Sequence, residues 1–195
     1  MFRLLKSPSE APDKSHSVFE DLVRRHEASI YRVAYRLTGN HEDAEDLVQE
    51  ALLEAYESFS RFRAGTYFDR WLFRILRNTY IDGTRARPKV ALQSLDEPIE
   101  TETGSQNARE VVDWSGHPER RVLAAALEEP IQQALMALPE EFRLVVVLAD
   151  MEGLSYEEVS QVAECPVGTV RSRLHRARMA LKEKLRGQLP PGLTQ

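Results

Sequence analysis

The spacing of apolar residues constrains the fold more than any other feature of this chain. In residues 44–55, for example, apolar side chains fall at i, i+3, i+4, i+7, i+8 and i+11, which places them on one face of an α-helix. No stretch alternates between apolar and polar residues for more than a few positions, as a half-buried β-strand would. The sequence therefore predicts an all-α fold.

The helical spacing is lost from about residue 83 to residue 117, where Pro, Gly, Ser, Thr and scattered acids take over. We therefore expect two small helical domains joined by a flexible linker. The predicted segments are an N-terminal tail (1–16), a first helical domain (17–89), the linker (90–117), a second helical domain (118–186) and a C-terminal tail (187–195).

Several residues mark predicted helix ends. Ser17 and Glu20 have the S-x-x-E spacing of a capping box, which predicts that a helix begins at residue 17. Gly39 followed by Asn40 predicts the end of one helix and the cap of the next. Gly83 is predicted to end the last helix of the first domain.

The second domain has the pattern of a helix-turn-helix. A second capping box, Ser155 to Glu158, begins a short helix, and Pro166 favours a new helix start shortly after it. In the new helix the inward positions are apolar and the outward ones are mostly Arg, Ser and Thr. Such a second helix enters the major groove of DNA by its N-terminal turns, where Arg can bind guanine edges or phosphates.

Charge is segregated along the chain, although the net charge is only -5. Residues 40–58 contain seven Asp or Glu and no Lys or Arg, whereas residues 59–89 contain eight Lys or Arg and two Asp. The second half again runs from an acidic to a basic stretch. This pattern is expected of a chain that holds DNA phosphates on one surface and a cationic protein on another, because mixed signs would weaken both fields.

Aromatic and cationic residues alternate around the break between the second and third predicted helices. Phe68 and Trp71 have helical spacing and are expected in the core, whereas Phe62 and Tyr67 have no such assignment. Aromatic faces beside cations suit unpaired bases, since each stacking contact contributes about 1–3 kcal/mol. We therefore expect this segment to hold single-stranded DNA.

Other classes of protein fit the sequence poorly. Cys165 is the only cysteine, so no internal disulfide can form, and no apolar run approaches the roughly 20 residues of a membrane-spanning helix. The start lacks the apolar core of a secretory signal, so we expect a cytoplasmic protein without membrane contact. The chain has no Glu-x-x-His pair, P-loop or nucleophile elbow, which disfavours an enzyme and a bound metal or cofactor.

Three runs of sequence resemble the bacterial extracytoplasmic-function (ECF) sigma factors of RNA polymerase, in particular their envelope-stress, sigma-E-like branch. The runs are DAEDLVQE (43–50), WLFRILRN (71–78) and GLSYEEVSQVAECPVGTVRSR (153–173). The resemblance implies a sigma factor that binds core polymerase through its β′ clamp helices and β flap, recognises a two-element promoter and begins strand opening. It also implies an anti-sigma factor as a partner.

The resemblance assigns roles to residues in three groups. Those implied in polymerase binding are Asp46, Gln49, Glu50 and Glu54. Those implied at the minus-ten element are Arg63, Gly65, Thr66, Tyr67, Arg74, Arg77 and Asn78. Those implied at the minus-thirty-five element are Gly168, Thr169, Arg171, Ser172, Arg173, His175 and Arg176.

The sequence departs from the family pattern in two places. Ala64-Gly65 stands where many members have Gly-Asp, so no base preference at the minus-ten element is implied, and Glu164 stands where many have Gly. From the residues alone, a stand-alone helix-turn-helix regulator that uses only the second domain remains the alternative.

Overall fold

The computed structural model describes residues 14–62, 67–85 and 128–186, whose regular elements are all helical. The first unit contains α1 (Lys14–Thr38), α2 (His41–Ser58), a 3-10 turn (Phe59–Arg61) and α3 (Phe68–Arg85). The second unit contains α4 (128–136), α5 (Glu140–Val146) with a π-helical turn (Val147–Met151), α6 (Tyr156–Ala163) and α7 (Val167–Arg186). The predicted all-α fold is confirmed, and the predicted linker (90–117) lies outside the described residues.

Two of the predicted helix boundaries are confirmed in atomic detail. Gly39 has a φ of 88°, and the Asn40 side chain accepts a hydrogen bond of 2.8 Å from the backbone N–H of Asp43. At α6 the Ser155 hydroxyl accepts from the Glu158 N–H, and the Glu158 carboxylate accepts from the Ser155 N–H at 2.8 Å. Both caps satisfy backbone donors that have no partner within the helix.

Two other boundary predictions are wrong. Helix α1 begins at Lys14, so Ser17 lies inside the helix and not at its N-terminal cap. Helix α3 continues through Gly83 to Arg85. Glycine inside a helix costs only about 1 kcal/mol relative to alanine, and packing elsewhere in α3 outweighs that cost.

The first unit is a three-helix bundle around an apolar core. Helix α2 buries five of the six residues of the predicted stripe, Ala44, Leu47, Val48, Ala51 and Ala55, and the sixth, Leu52, is half-buried against the core. Phe68 is buried at the start of α3, as predicted, and Trp71 is half-buried in a cluster of aromatic rings with Phe59 and Phe62. This packing fixes which faces of α2 and α3 remain outside.

The π-helical turn after α5 was not predicted from the sequence. Its hydrogen bond joins the Glu152 N–H to the Val147 carbonyl at 3.1 Å, five residues back instead of four. A π-helical turn contains one residue more than an α-helical turn, which shifts the apolar spacing by one position. Phe142 to Leu148 are all buried, so this segment has no polar face against which such a shift could be detected. The turn brings Glu152 against α1, where its carboxylate accepts from Ser29 at 2.7 Å and pairs with Arg32 at 3.0 Å.

A buried arginine joins the two units. Arg143 of α5 is 5% exposed, and its side chain donates five hydrogen bonds at 2.5–3.0 Å. The acceptors are the carbonyl oxygens of Leu37, Leu135, Met136 and Leu138 and the hydroxyl of Tyr80. Leu37 lies at the end of α1 and Tyr80 on α3, so this guanidinium takes two of its five acceptors from the first unit and three from its own.

No carboxylate is among the hydrogen-bond acceptors described for Arg143. The charge is instead offset by carbonyl groups at the C-terminal ends of α1 and α4, where the helix dipole is negative. The turn at Gly39 lies close by, since a Cβ built on Gly39 would stand 2.7 Å from the Met136 Sδ. The two units are therefore closely packed against each other at this contact.

None of the helices in the described ranges is long and apolar enough to cross a membrane.

Candidate functional surfaces

The outer face of α2 carries carboxylates. Asp46, Gln49, Glu50 and Glu54 are all exposed there, opposite the buried stripe, and we call them the α2 carboxylate surface. Leu53, beside them, is 62% exposed. Among the described residues no ion pair reaches Asp46 or Glu50, so no cation in this part of the chain neutralises either carboxylate by direct contact. Such a surface suits a cationic protein partner.

One face of α3 carries arginines. Arg70, Arg74 and Arg77 lie along it with Asn78, and we call these four residues the α3 cationic face. Arg74 is exposed, and the other three are half-buried. The Arg77 Nη1 donates to the Asn78 side-chain oxygen at 2.8 Å, which fixes the direction of the amide.

Tyr67 stands at the N-terminal edge of the α3 cationic face. Its ring is 64% exposed, and the Arg70 guanidinium lies 3.6 Å from the ring centre. An exposed aromatic ring held by a cation is a platform on which an unpaired base can stack. The other residues implied in this loop, Arg63, Gly65 and Thr66, lie outside the described residues.

The second unit presents the helix-turn-helix that the sequence predicts. Helices α6 and α7 are joined by Glu164, Cys165 and Pro166, and Val170, Leu174 and Ala177 bury the inner face of α7. On the outer face Gly168, Arg171 and His175 are exposed, whereas Thr169, Ser172 and Arg176 are half-buried. The predicted residues are thus together at the N-terminal half of α7, the part that contacts base edges in this motif.

Two other arginines of α7 are held by acids of the same unit. Arg173 pairs with Glu141 of α5, and Arg178 makes two hydrogen bonds to Asp150, at 2.9 and 2.6 Å. The bond to Asp150 raises the pKa of Arg178, since the charged form is the one that is stabilised. Arg173 was predicted to contact DNA, and in this structure one of its Nη atoms is engaged by Glu141.

Two important arginines were missed at the sequence level. Arg70 lies three residues after Tyr67 and seven before Arg77, a spacing that places it on the same helix face and could have identified it. Arg143 was given no role from the sequence. Its position inside the apolar run 142–148 is the signal that it is buried.

No cluster of His, Cys, Asp and Glu that could hold a metal ion occurs among the described residues. A small cleft of about 240 Å³ lies where α3 meets the second unit, lined in part by Arg77, Ile81, Glu164 and Cys165.

Comparison with known proteins agrees with this arrangement. The family model for sigma-70 region 2 matches residues 22–89, and the model for sigma-70 region 4 matches residues 128–181. The first match covers the unit with the α2 carboxylate surface and the α3 cationic face. The second covers the helix-turn-helix.

Relatives and solved structures give the same result. The chain is 40% identical over 167 residues to the ECF RNA polymerase sigma factor SigE of Mycolicibacterium smegmatis, covering 86% of this chain and 61% of the relative's length. It is 37% identical to SigW of Bacillus subtilis, covering 86% of this chain and 89% of that protein. Among solved structures, RpoE of Bartonella quintana, in complex with the anti-sigma factor NepR, is 28% identical with a TM-score of 0.64, covering 87% of this chain and 98% of that one. The chain therefore belongs to the ECF sigma factors of the sigma-70 family.

Proposed function

We propose that this sigma factor binds core RNA polymerase through the α2 carboxylate surface and promoter DNA through the α3 cationic face and the outer face of α7. It is a transcription initiation factor and not an enzyme. The observation that carries the assignment is the separation of charge in the folded chain, because Asp46 and Glu50 are exposed on α2 and no ion pair reaches either of them among the described residues. The family membership supports it.

Each surface has a physical task in this proposal. The α2 carboxylate surface attracts cationic helices of the polymerase and repels DNA phosphates, so it orients the complex. The α3 cationic face holds the backbone of the separated strand, while Tyr67 stacks on an unpaired base of the minus-ten element. The N-terminal turns of α7 read the minus-thirty-five element in the major groove through residues such as Arg171.

The cellular setting follows from these partners. A protein that acts with core polymerase on promoter DNA works in the cytoplasm. An anti-sigma factor is a further proposed partner, supported by the similarity to RpoE in its complex with NepR.

Run-off transcription tests the proposal. The purified chain is added to core polymerase with fragmented genomic DNA, and we expect discrete transcripts that are absent with either component alone. If the free chain bound an operator tightly and added no transcripts to core polymerase, the alternative of a stand-alone regulator would replace this proposal.

A single substitution then tests the role of α7. Arg171→Ala should weaken holoenzyme binding to a promoter found by run-off by about 1–3 kcal/mol, the usual worth of an arginine that reads a base. Arg186→Ala, at the far end of α7, is the matched control and should bind as the unchanged protein does. Equal affinities for all three forms would refute base reading by Arg171.

A further inference from the structure

Two arginines of the α3 cationic face are already occupied by carboxylates of α6. Arg70 pairs with Glu158, and the Arg77 Nη1 lies 2.7 Å from the Glu164 Oε2. Arg70 and Arg77 are two helical turns apart on α3, while Glu158 lies in the first turn of α6 and Glu164 just after its end. Helix α6 therefore lies along α3 and offers one carboxylate to each arginine.

The second of these carboxylates is held in an uncommon backbone conformation. Glu164 has a φ of 51°, the only positive φ of a residue other than glycine in the described part of the chain. Glycine adopts this left-handed conformation at a helix end without steric cost, whereas a residue with a Cβ does not. The chain thus places a carboxylate opposite Arg77 at a position where the backbone alone favours glycine.

The carboxylates satisfy the two arginines only in part. The Nε of Arg70 and the Nε of Arg77 are both shielded from solvent, and neither has a hydrogen-bond partner among the described residues. A phosphate group can accept from Nε and Nη of one guanidinium together, which a single carboxylate oxygen cannot do. The α3 cationic face is therefore better matched to a nucleic-acid backbone than to α6.

We propose that α6 is an intramolecular competitor of nucleic acid, in which Glu158 and Glu164 occupy the positions that DNA phosphates take on the α3 cationic face. This inference rests on the function proposed above, in which that face binds DNA. While the two units are in contact, as in this structure, single-stranded DNA must displace α6 to reach Arg70 and Arg77. Separation of the two units, for instance when both are held on polymerase, releases Arg70 and Arg77 for the promoter.

The first measurement is the affinity of the full chain for a short fluorescent single strand of random sequence at low ionic strength. The variant Glu158→Gln/Glu164→Gln removes both carboxylate charges, and glutamine retains the capping box of α6. We expect roughly two- to twentyfold tighter binding, the range for loss of two partly exposed ion pairs. Glu157→Gln/Glu183→Gln is the matched control, because it removes the same charge from exposed positions of the same unit.

The second measurement is the rate at which N-ethylmaleimide alkylates Cys165. This sole cysteine is half-buried in the cleft between α3 and the second unit, so its reaction rate reports how often the units separate. We expect faster alkylation in Glu158→Gln/Glu164→Gln and no change in the control. Glu164 is adjacent to Cys165, so its substitution could alter the thiol directly. The pair Arg70–Glu158 is farther from Cys165 along the chain and avoids this effect. Glu158→Arg should speed alkylation, and adding Arg70→Glu, which swaps the two charges, should restore the slow rate.

Faster alkylation together with tighter strand binding, neither seen in Glu157→Gln/Glu183→Gln, supports the competitor. Unchanged strand affinity, an equal gain in the control, or a swap that fails to restore slow alkylation overturns it. Run-off transcription by the unchanged protein separates this result from the function itself. If transcripts form normally and the affinities do not respond, only the competitor is refuted, whereas absence of transcripts refutes the proposed function.

Discussion

Arg143 shows how one residue can join two halves of a chain. Its guanidinium lies in the interior and is solvated by helix-end carbonyls and the Tyr80 hydroxyl. Polar groups in such a site are costly when left without partners. The residue therefore stabilises the contact between the two units only as long as both units supply its acceptors.

We expect Arg143→Met to destabilise the protein by about 2–4 kcal/mol, because methionine fills similar space but leaves several buried carbonyls with fewer donors. The measurement is urea unfolding followed by circular dichroism. Arg171→Met is the control, since Arg171 is exposed on α7, and it should change the unfolding free energy by less than about 0.5 kcal/mol. Equal stability of the two variants would contradict the structural role of Arg143.

At the scale of helices, the two S-x-x-E patterns give a matched comparison. Ser155→Ala should cost about 1 kcal/mol of unfolding free energy, because it removes the side-chain cap of α6. Ser17→Ala should change it by less than about 0.5 kcal/mol, because Ser17 lies inside α1 and alanine is a good helix former. Thermal and urea unfolding of both variants would measure this, and a larger loss at Ser17 would contradict the helix start at Lys14.

The α2 carboxylate surface is tested by charge reversal. Asp46→Lys/Glu50→Lys should weaken binding to core polymerase about tenfold or more, because the new cations face the cationic partner proposed for this surface. Association can be measured by fluorescence anisotropy of the labelled chain. Asp21→Lys/Glu27→Lys reverses two exposed acids of α1 and should bind core polymerase with unchanged affinity. Helical circular dichroism should be the same in both, and equal weakening would refute a specific docking surface.

The sequence predicted what depends on neighbouring residues. The stripe of α2, the caps at Asn40 and Ser155 and the turn before Pro166 all follow from local spacing and side-chain chemistry, and the structure confirms them. The start of α1 and the end of α3 could not be predicted, because packing outweighs weak local signals such as Gly83.

The contact between the two units could not be predicted from local spacing either. It joins residues far apart in the sequence, such as Arg143 with Leu37 and Arg77 with Glu164. The spacing of apolar residues along a helix does not indicate which residues of the other unit a side chain will contact. The roles of the exposed residues on α2, α3 and α7 stay predictions for the same reason, since their partners are other molecules.

At the scale of the whole molecule, the turn at Gly39 connects local backbone strain to the contact between the units. Gly39→Ala should destabilise the protein by more than the roughly 1 kcal/mol of an alanine at positive φ, because its Cβ would also press on Met136 of the second unit. It should also speed alkylation of Cys165, because the crowding would separate the units more often. Unfolding curves alone would not detect this separation.

Met136→Ala supplies the control for that experiment. Added to Gly39→Ala, it removes the crowded side chain and should return Cys165 alkylation toward the slow rate, while the backbone strain remains. If the double variant reacted as fast as Gly39→Ala alone, crowding between the new Cβ and Met136 would not be what separates the units.

The π-helical turn Val147–Met151 sets the angular register of everything that follows it. Each residue added to or removed from a helix rotates the downstream chain by roughly 100°. Deleting one residue here would let α5 continue as a regular α-helix, yet it would swing Glu152, α6 and α7 away from α1 and α3. The segment should therefore tolerate conservative substitutions but not insertions or deletions. The length of this turn constrains the position of α6 and α7 more than its composition does.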